Sequence, residues 1–558
     1  MESTARPMPI GVDDFKELIE KDYYFVDKTR FIRGLLESRG KVLLITRPRR
    51  FGKTLNLSML RYFFTLENAQ ENRKLFTGLE IEQTDCMTEQ GSRPVVFLTL
   101  KDIRMNNWQD QLEKMALGMS KLYRDYLFLL DSQALTEMDR AGFLTIWKLQ
   151  ASPSQLMSAL ANLCYLLKLH FGKEPILLLD EYDAPIISAW ENGYYKECID
   201  FMRGFLGEVL KTNEALDFAV LTGVTRVSKE SIFSGLNNLK VCSVLSRHFS
   251  DIFGFTQEEV NRLMRECGKE ERLADLKKWY DGYRFGSYDI YNPWSVIQFV
   301  DNGCKFRPYW LNTSGNSILK VLLEHVDARR KKELEGLLRG RPVKTRVMEN
   351  IVYGDIETDS NTLFMMLLTA GYLKAVEVWQ DANFVEWAKL QIPNREIQQA
   401  FQDEIFRNIV PRHGYIVLQD MLDAMAEGNA ADFSEYLTEL LVDFVSFHDL
   451  EHSPESFYHG LLLGFSVLLE STYRVESNKE SGYGRFDIAF FPRQSGKAGI
   501  LLEIKSVKSQ ENLAKTAKEA LGQIERKAYL TELHHQGVRE IWKYGIAFCG
   551  KRVWLEKG

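Results

Sequence analysis

The sequence has few cysteines and no long apolar stretch. Seven cysteines are scattered over 558 residues, with no Cys-x-x-Cys pair and no histidine at zinc-binding spacing. An odd number of isolated cysteines in a long chain is typical of reduced thiols rather than of a disulfide framework. No apolar run approaches the roughly 20 residues that a membrane-spanning helix needs, and the first residues lack the apolar core of a secretory signal. We therefore expect a cytoplasmic protein without a membrane segment.

Low-complexity segments, internal repeats and charge runs are also missing. A hydrophobic content of 45% and a charged content of 27% are typical of soluble globular proteins. The net charge of −6 argues against a protein that coats nucleic acid along its whole length. From residue 451 onward, however, 16 lysines and arginines outnumber 13 acidic residues, a net +3 that leaves −9 for the rest. This small basic excess is compatible with a polyanionic ligand at the C-terminal end.

One stretch combines an apolar run, a basic loop and the start of a helix. Residues 42–45 predict a buried strand, and a mostly apolar helix follows the loop. Gly52, Lys53 and Thr54 lie where a phosphate-binding loop needs them, with Lys53 reaching the β- and γ-phosphates and Thr54 binding Mg²⁺. Arg47 stands where the full loop pattern has glycine. A basic strand-to-helix turn without a ligand is the alternative interpretation.

A second pattern places two acidic residues directly after an apolar run. Residues 176–179 are apolar, and Asp180 and Glu181 follow them. This order is typical of a buried parallel strand whose carboxyl end lies at the ligand-binding edge of an α/β sheet. Asp180 would hold the Mg²⁺ shell and Glu181 would polarise the attacking water. The alternative is a strand that ends in solvated charges.

Two elements are predicted between these patterns. Residues 93–100 predict another buried strand, and Ser152 with Pro153 predicts the start of a helix.

A further strand is predicted at residues 217–223, and polar side chains follow it. Thr225, Arg226 and Lys229 are candidate sensors of the γ-phosphate, and a solvated surface loop explains them too. Because strands and helices alternate over residues 40–250, the fold class is α/β with an N-terminal doubly wound P-loop domain.

Aromatic clusters occur before and after this predicted domain. Residues 23–25 precede the phosphate loop, where they would form either an adenine pocket or a packing plug. The clusters at 279–285 and 291–294 more often fill a core. Residues 361–395 predict a helix followed by a β-hairpin, which is typical of a winged-helix module. Since this segment is not rich in arginine or lysine, we favour a lid on the ATPase over a DNA reader.

The C-terminal region carries a second set of chemical groups. A predicted hairpin places Asp487 and Glu503 on neighbouring strands, and Lys505 shares a face with Glu503 because strand side chains alternate. Two carboxylates and a lysine suit metal-assisted phosphodiester hydrolysis, with the carboxylates as ligands and Lys505 orienting the water. A hairpin with solvated charges is the alternative. The next helix offers candidate phosphate contacts at Gln523, Lys527 and Tyr529.

Together these motifs resemble the AAA-ATPase-like family of signal-transducing P-loop NTPases, joined to a C-terminal PD-(D/E)XK nuclease domain. The resemblance rests on residues 24–29, 47–54, 179–185, 232–238, 279–283, 291–294, 484–487, 503–505 and Gln523. It implies that Arg47 is a family trait. It also implies nucleotide contacts from Arg50, Phe51, Gly52, Lys53, Thr54, Asp180 and Arg226, and catalysis by Glu181, Asp487, Glu503, Lys505 and Gln523. Phe486 departs from the namesake motif, which has proline there.

The sequence therefore predicts a chain of several modules. They are a P-loop ATPase at 1–254, a helical lid with a winged-helix-like module at 255–395, a helical connector at 396–450 and a restriction-endonuclease-like α/β nuclease at 451–558. The expected cofactors are ATP and Mg²⁺, with Mn²⁺ as an alternative at the nuclease site. The leading hypothesis is an ATP-regulated nuclease acting on nucleic acid, DNA before RNA, of foreign or mobile origin, and a homo-oligomer is compatible with it. The competing hypotheses are a signalling or scaffold ATPase whose nuclease-like domain binds without cutting, and a structural ATP-binding protein.

Overall fold

In the computed structural model the chain divides into two units, Met1–Ala400 and Phe401–Gly558. The structure describes residues 6–225, 233, 238–310, 328–338, 340–348, 360–401, 412–444, 454–469, 472–477, 480–481, 484–494, 496–507, 509–526, 533 and 538–558. Within these ranges, no helix has the length and apolar character needed to cross a membrane.

A parallel sheet forms the centre of the N-terminal unit. Its strands are β1 (Val42–Thr46), β2 (Val95–Thr99), β3 (Ile176–Asp180), β4 (Ala219–Gly223) and β5 (Leu239–Cys242). Their order is β2-β3-β4-β1-β5, and every neighbouring pair is parallel. All residues of β1, β3 and β4 are buried, which is expected of strands that are covered on both faces. The four strands predicted from apolar runs are confirmed, and β5 is an addition.

Helices connect and surround these strands. The α-helices up to β5 are Phe15–Glu20, Arg30–Ser38, Lys53–Phe64, Ala69–Arg73, Trp108–Arg124, Glu137–Trp147, Pro153–Phe171, Ala184–Glu191 and Tyr195–Leu210. The longest of them illustrates how the sequence sets a helix start. Ser152 accepts a hydrogen bond from the Gln155 amide, and the Gln155 side chain accepts one from the Ser152 amide. This capping box satisfies two amides that the helix itself leaves without partners, as the Ser-Pro start predicts.

After β5 the N-terminal unit becomes mainly helical, with two small sheets. Its helices are Gln257–Glu266, Leu273–Tyr280, Pro293–Asp301, Ala328–Leu338 and Ser360–Ala370. A short hairpin pairs β6 (Tyr283–Phe285) with β7 (Tyr288–Ile290). A three-stranded antiparallel sheet has the order β8-β10-β9, formed by β8 (Val343–Arg346), β9 (Lys374–Gln380) and β10 (Glu386–Gln391). The predicted helix and hairpin are both present, and β8 extends the hairpin.

A mixed sheet forms the centre of the C-terminal unit. It has the order β11-β14-β15-β16-β17, with β11 (Tyr473–Ser477), β14 (Ile488–Pro492), β15 (Gly499–Ser506), β16 (Ile541–Cys549) and β17 (Arg552–Lys557). The pair β15 and β16 is parallel, and the other pairs are antiparallel. Two short strands, β12 (Glu480–Ser481) and β13 (Gly484–Arg485), form a separate ribbon. The helices are Arg412–Glu427, Ala430–Phe444, Pro454–Phe465 and Leu513–Arg526.

The first two helices of this unit pack on its own sheet. The Tyr544 hydroxyl donates a 2.9 Å hydrogen bond to the carbonyl of Met425, and the Trp542 indole donates one of 3.2 Å to the carbonyl of Ala426. Lys557 donates one of 2.6 Å to the carbonyl of Gly428. The described helices of the predicted connector thus belong with the C-terminal sheet, and the four-part division itself stays a prediction.

Candidate functional sites

The phosphate loop lies between the end of β1 and the helix Lys53–Phe64. Gly52 precedes the first helical residue with φ 78°, and Arg50 has φ 69°. A glycine adopts this left-handed conformation without the clash that a Cβ would cause. The turn leaves the first amides of a 12-residue helix without intrahelical partners, and such amides attract anions.

Lys53 lies inside the loop rather than in solvent. Its side chain is only 5% exposed, and the ammonium donates hydrogen bonds of 3.0 Å to the carbonyls of Arg47 and Pro48. Burial lowers the pKa of Lys53, because the charged form loses hydration. The predicted phosphate-binding cation is therefore held within the loop that would surround a phosphate.

Thr54 and Asp180, the two predicted Mg²⁺ ligands of this site, are in direct contact. The Thr54 hydroxyl donates a 2.7 Å hydrogen bond to Asp180 Oδ2, and the Thr222 hydroxyl donates one of 2.6 Å to Oδ1. Asp180 is completely buried, and this burial raises the pKa of its carboxyl group. A hydroxyl and a carboxylate that lie side by side form an oxygen donor set of the kind that Mg²⁺ prefers.

Glu181 and Asp183 follow the same strand but lie in different surroundings. Glu181 has φ 50°, lines the cavity beside the phosphate loop and lies 3.7 Å from the guanidinium of Arg104. Asp183 is 1% exposed and accepts hydrogen bonds of 2.8 Å from the amides of both Val224 and Thr225. Asp183 therefore ties the start of a helix to the segment after β4. Only Glu181 of the two borders the cavity. Arg104 had no signal in the sequence, since it stands in a loop without a motif.

A cavity of about 730 Å³ opens beside the phosphate loop, within the size range of small-molecule sites. It is bordered by the loop itself, by the N-terminal segment, by the predicted aromatic segment and by side chains from after β5. Its lining includes Val12, Tyr24, Phe25, Arg49, Arg50, Phe51, Lys53, Thr54, Arg104, Glu181, Phe255, Trp294 and Ile297. Tyr24 and Phe25 of the aromatic segment before the loop therefore border it, and the ring of Phe25 also packs edge-on against that of Phe15, with ring centres 5.6 Å apart.

Arg47 stabilises the base of the phosphate loop. Its guanidinium is fully buried and donates hydrogen bonds to the carbonyls of Thr46, Cys242 and Phe249 at 2.8, 2.9 and 3.1 Å. It also lies 5.0 Å from the ring centre of Phe285. Burial lowers the pKa of Arg47 to about 10. An arginine at the position of the usual glycine thus fixes the base of the loop to the chain after β5.

The aromatic cluster after β5 packs against the next loop residues. Phe51 is buried between Tyr283 and Phe285, with ring centres 4.9 and 5.1 Å away. The guanidinium of Arg50 lies 4.3 Å from the ring centre of Trp294. The cluster at 279–285 therefore contributes to a core, as predicted, and this core supports the phosphate loop.

The four candidate nuclease residues come together in the C-terminal unit. Ile488 of β14 pairs with Leu502 of β15, which brings Asp487, directly before β14, next to Glu503 on β15. Asp487 Oδ2 accepts a 2.7 Å hydrogen bond from the Ile504 amide. Gln523 donates a hydrogen bond to the Glu503 carboxylate, and the Lys505 ammonium lies 3.8 Å from that carboxylate. Glu503 is 1% exposed.

Two side chains that sequence reasoning missed approach this group from the helix Pro454–Phe465. Glu455 lies 3.9 Å from the Lys505 ammonium, and His459 Nε2 lies 3.1 Å from the carbonyl of Asp487. Their spacing of four positions puts them on one helix face, which is the signal that could have found them. Within the described ranges, no group of three or more His, Cys, Asp or Glu side chains is arranged to hold a metal. The oxygen donors here are the carboxylates of Asp487 and Glu503.

Some candidates fall outside the residues that the structure describes. They are Arg226, Lys229, Lys527 and Tyr529.

Comparison with known proteins agrees with these two regions. Residues 9–233 match the family model described as predicted AAA-ATPase, and residues 453–558 match that of the PD-(D/E)XK nuclease superfamily. The chain is 26% identical over 555 residues to the uncharacterized protein in the vnfD 5′ region of Azotobacter chroococcum mcd 1. The aligned residues make up 98% of this chain and 97% of that protein. The chain thus joins a region similar to the predicted AAA-ATPases to a region similar to the PD-(D/E)XK nucleases, the pair that its motifs predict.

Proposed function

We propose that this protein binds and hydrolyses ATP at the phosphate loop and that the nucleotide state controls metal-dependent cleavage of nucleic acid by its C-terminal unit. The observation that carries the first half is the contact between Thr54 and Asp180 beside the buried Lys53. The proposal of metal-dependent cleavage is supported by the close approach of Asp487, Glu503 and Lys505.

The proposed binding of ATP depends on separate roles for the residues of the phosphate loop. Gly52 lets the helix amides face the β- and γ-phosphates, and Lys53 supplies a positive charge among them. Thr54 and Asp180 would hold Mg²⁺, which neutralises phosphate charge when it is bound. Arg50 and Phe51 would fix the outer loop against Trp294 and the aromatic core.

Glu181 is the candidate general base of ATP hydrolysis. Its carboxylate borders the cavity, and the guanidinium of Arg104 at 3.7 Å restricts its position. A carboxylate that accepts a proton from water needs such a fixed position close to the phosphate. Asp183 does not fit this role, because backbone amides already occupy its carboxylate.

The proposed cleavage of nucleic acid depends on oxygen and nitrogen atoms that lie close together in the C-terminal unit. Asp487 and Glu503 would hold Mg²⁺ or Mn²⁺, which polarises the phosphodiester and activates water when it is bound. Lys505 would orient the attacking water, and Gln523 holds the Glu503 carboxylate in place. We propose DNA of foreign or mobile origin as the substrate and the cytoplasm as the site of action.

A scaffold ATPase that binds nucleic acid without cutting is the second candidate function. One observation favours it. Phe486 replaces the proline of the namesake motif and is buried in a core with Leu501 and Ile524.

The decisive experiment is to assay cleavage of mixed DNA and RNA substrates with and without ATP and Mg²⁺. Cleavage that needs the metal and responds to ATP is expected for the leading proposal. ATP hydrolysis without cleavage under every condition would favour the scaffold. The absence of both ATP binding and cleavage would overturn both.

A further inference from the structure

The small sheet β8-β10-β9 has two unlike faces. Register pairs Arg346 and Lys344 of β8 with Trp387 and Lys389 of β10, and these pair in turn with Trp379 and Glu377 of β9. Because directly paired residues point to the same side of a sheet, these six side chains share one face. We call the five that are basic or aromatic (Lys344, Arg346, Trp379, Trp387 and Lys389) the basic–aromatic face.

The other face of the sheet is the anchored one. Val343, Thr345, Ala388 and Leu390 are all buried there. On the basic–aromatic face, by contrast, Lys344, Arg346 and Lys389 are exposed and both tryptophans are partly exposed. The sheet is therefore held from behind and presents two indoles and three cations outward. The adjoining hairpin tip adds Phe384, whose side chain is 83% exposed.

The charges and rings on this face are arranged together. The Lys344 ammonium lies 4.3 Å from the ring centre of Trp387 and 5.3 Å from that of Trp379, and the Lys389 ammonium lies 5.6 Å from Trp379. The Trp387 indole donates a 2.9 Å hydrogen bond to the carboxylate of Asp381 in the turn. This bond fixes the ring edge while part of the ring stays exposed.

We propose that the basic–aromatic face binds a single strand of nucleic acid, with bases stacked on Trp379 and Trp387 and phosphates beside Lys344, Arg346 and Lys389. Three cations against the carboxylates of Glu377 on the face and Asp381 beside Trp387 leave a net positive charge that suits a polyanion. Partly exposed indoles suit the planar faces of unpaired bases. A duplex hides those faces inside its stack, so single strands are the better ligand.

This surface goes beyond the proposed ATPase and nuclease activities and depends on neither of them. It lies in the N-terminal unit, on residues that contribute nothing to the phosphate loop cavity or to the group around Asp487. It would give the chain a means of holding a strand that does not require the C-terminal metal site.

The test uses the full-length protein in EDTA, so that metal-dependent cleavage cannot occur. Binding of labelled oligothymidylate of about 20 nucleotides is measured by fluorescence anisotropy, and ultraviolet crosslinks are mapped by mass spectrometry. We expect crosslinked peptides from residues 374–391. We also expect the double change Trp379→Ala with Trp387→Ala to weaken binding about tenfold or more, because two bases lose the rings on which they stack.

Matched variants separate stacking and charge from a general loss of structure. Trp379→Phe with Trp387→Phe keeps the rings and should keep most of the affinity. Lys389→Ala should reduce the salt dependence, while Lys278→Ala, which removes another exposed, ion-paired lysine, should not. Trp554→Ala removes an exposed indole elsewhere and should leave binding unchanged. Each variant is first checked for an unaltered thermal unfolding midpoint.

Three outcomes would overturn the proposal. The first is a wild-type protein that does not bind the strand, or that binds it without crosslinks in residues 374–391. The second is equal affinity in the wild type and in a folded Trp379→Ala, Trp387→Ala variant. The third is tighter binding of a duplex of the same length, because stacking on the indoles needs unpaired bases.

Discussion

Thr54 and Asp180 are 126 positions apart in the chain, and a 2.7 Å hydrogen bond joins their side chains. Thr54 lies in the helix that follows β1, and Asp180 is the last residue of β3. These two strands are not neighbours, because β4 lies between them. The contact therefore crosses the carboxyl edge of the sheet. It brings the helix after β1 and the acidic end of β3 to one point, and the predictions for the nucleotide site concern this point.

Lys53→Ala should weaken ATP binding strongly. The buried ammonium is the loop charge that lies against the carbonyls of Arg47 and Pro48, and the loss of a charged hydrogen bond costs about 1.5–3 kcal/mol, or roughly 10- to 100-fold in affinity. Isothermal titration calorimetry with ATP and Mg²⁺ measures this. Lys101→Ala is the control, since Lys101 lines the same cavity but pairs with Asp13 at 3.4 Å. Full affinity in Lys53→Ala would move the nucleotide site elsewhere.

Glu181→Gln should leave ATP bound and slow its hydrolysis about 10²- to 10⁴-fold, because the amide keeps the size of the side chain and loses the base. Phosphate release and nucleotide affinity are measured on the same preparation. An unchanged rate would exclude Glu181 as the base.

Asp183→Ala should lower the stability of the folded protein. It removes a buried carboxylate that accepts bonds from Val224 and Thr225, and amides left buried without an acceptor cost about 1–3 kcal/mol each. The midpoint of chemical unfolding should fall in this variant. A folded Asp183→Ala protein that binds ATP and no longer hydrolyses it would contradict this structural role.

Asp487→Ala, Glu503→Ala and Lys505→Ala should each lower cleavage by orders of magnitude while basal ATP hydrolysis persists. The first two remove a metal carboxylate, so metal affinity should fall with cleavage. Lys505→Ala should cut slowly with metal affinity nearly intact. Strand cleavage, ATP hydrolysis and Mn²⁺ binding are measured side by side. Cleavage that survives in Asp487→Ala and Glu503→Ala would remove the nuclease assignment.

Glu396→Gln should change how stability depends on pH. Glu396 is fully buried, accepts hydrogen bonds from Ser295 and the Trp310 amide, and burial raises its pKa from 4.5 to about 8. The folded state therefore binds more protons than the unfolded state, and wild-type stability should decline as pH rises from 4.5 to about 8. The amide does not titrate, so the stability of the variant should rise relative to that of the wild type as pH increases over this window. Thermal midpoints across the window test this, and parallel profiles would mean that Glu396 titrates normally.

The sequence was most informative where a local pattern decides the structure. Apolar runs predicted β1 and β3 within about one residue of their observed bounds, and Ser152 with Pro153 predicted a helix start. Alternation along a strand also predicted that Asp487, Glu503 and Lys505 would meet. In each case the relevant partners are close in sequence or follow from strand geometry.

Features that depend on distant packing could not be predicted in this way. Nothing local indicates that Arg47 reaches the carbonyls of Cys242 and Phe249, about 200 positions away. The separate surroundings of Glu181 and Asp183 likewise depend on which side chain meets the segment after β4. The short strand β5 lacks a strong apolar run, since Lys240 stands among its four residues.

The position of β1 in its sheet has a consequence for biosynthesis. Both of its hydrogen-bonded neighbours, β4 and β5, come from residues 219–242, and the hydrogen bonds from Arg47 extend to Phe249. A nascent chain therefore carries its phosphate loop from an early stage but has no sheet to hold it until nearly half of the protein has left the ribosome. Nucleotide binding at the proposed site would then mark the completion of the parallel sheet.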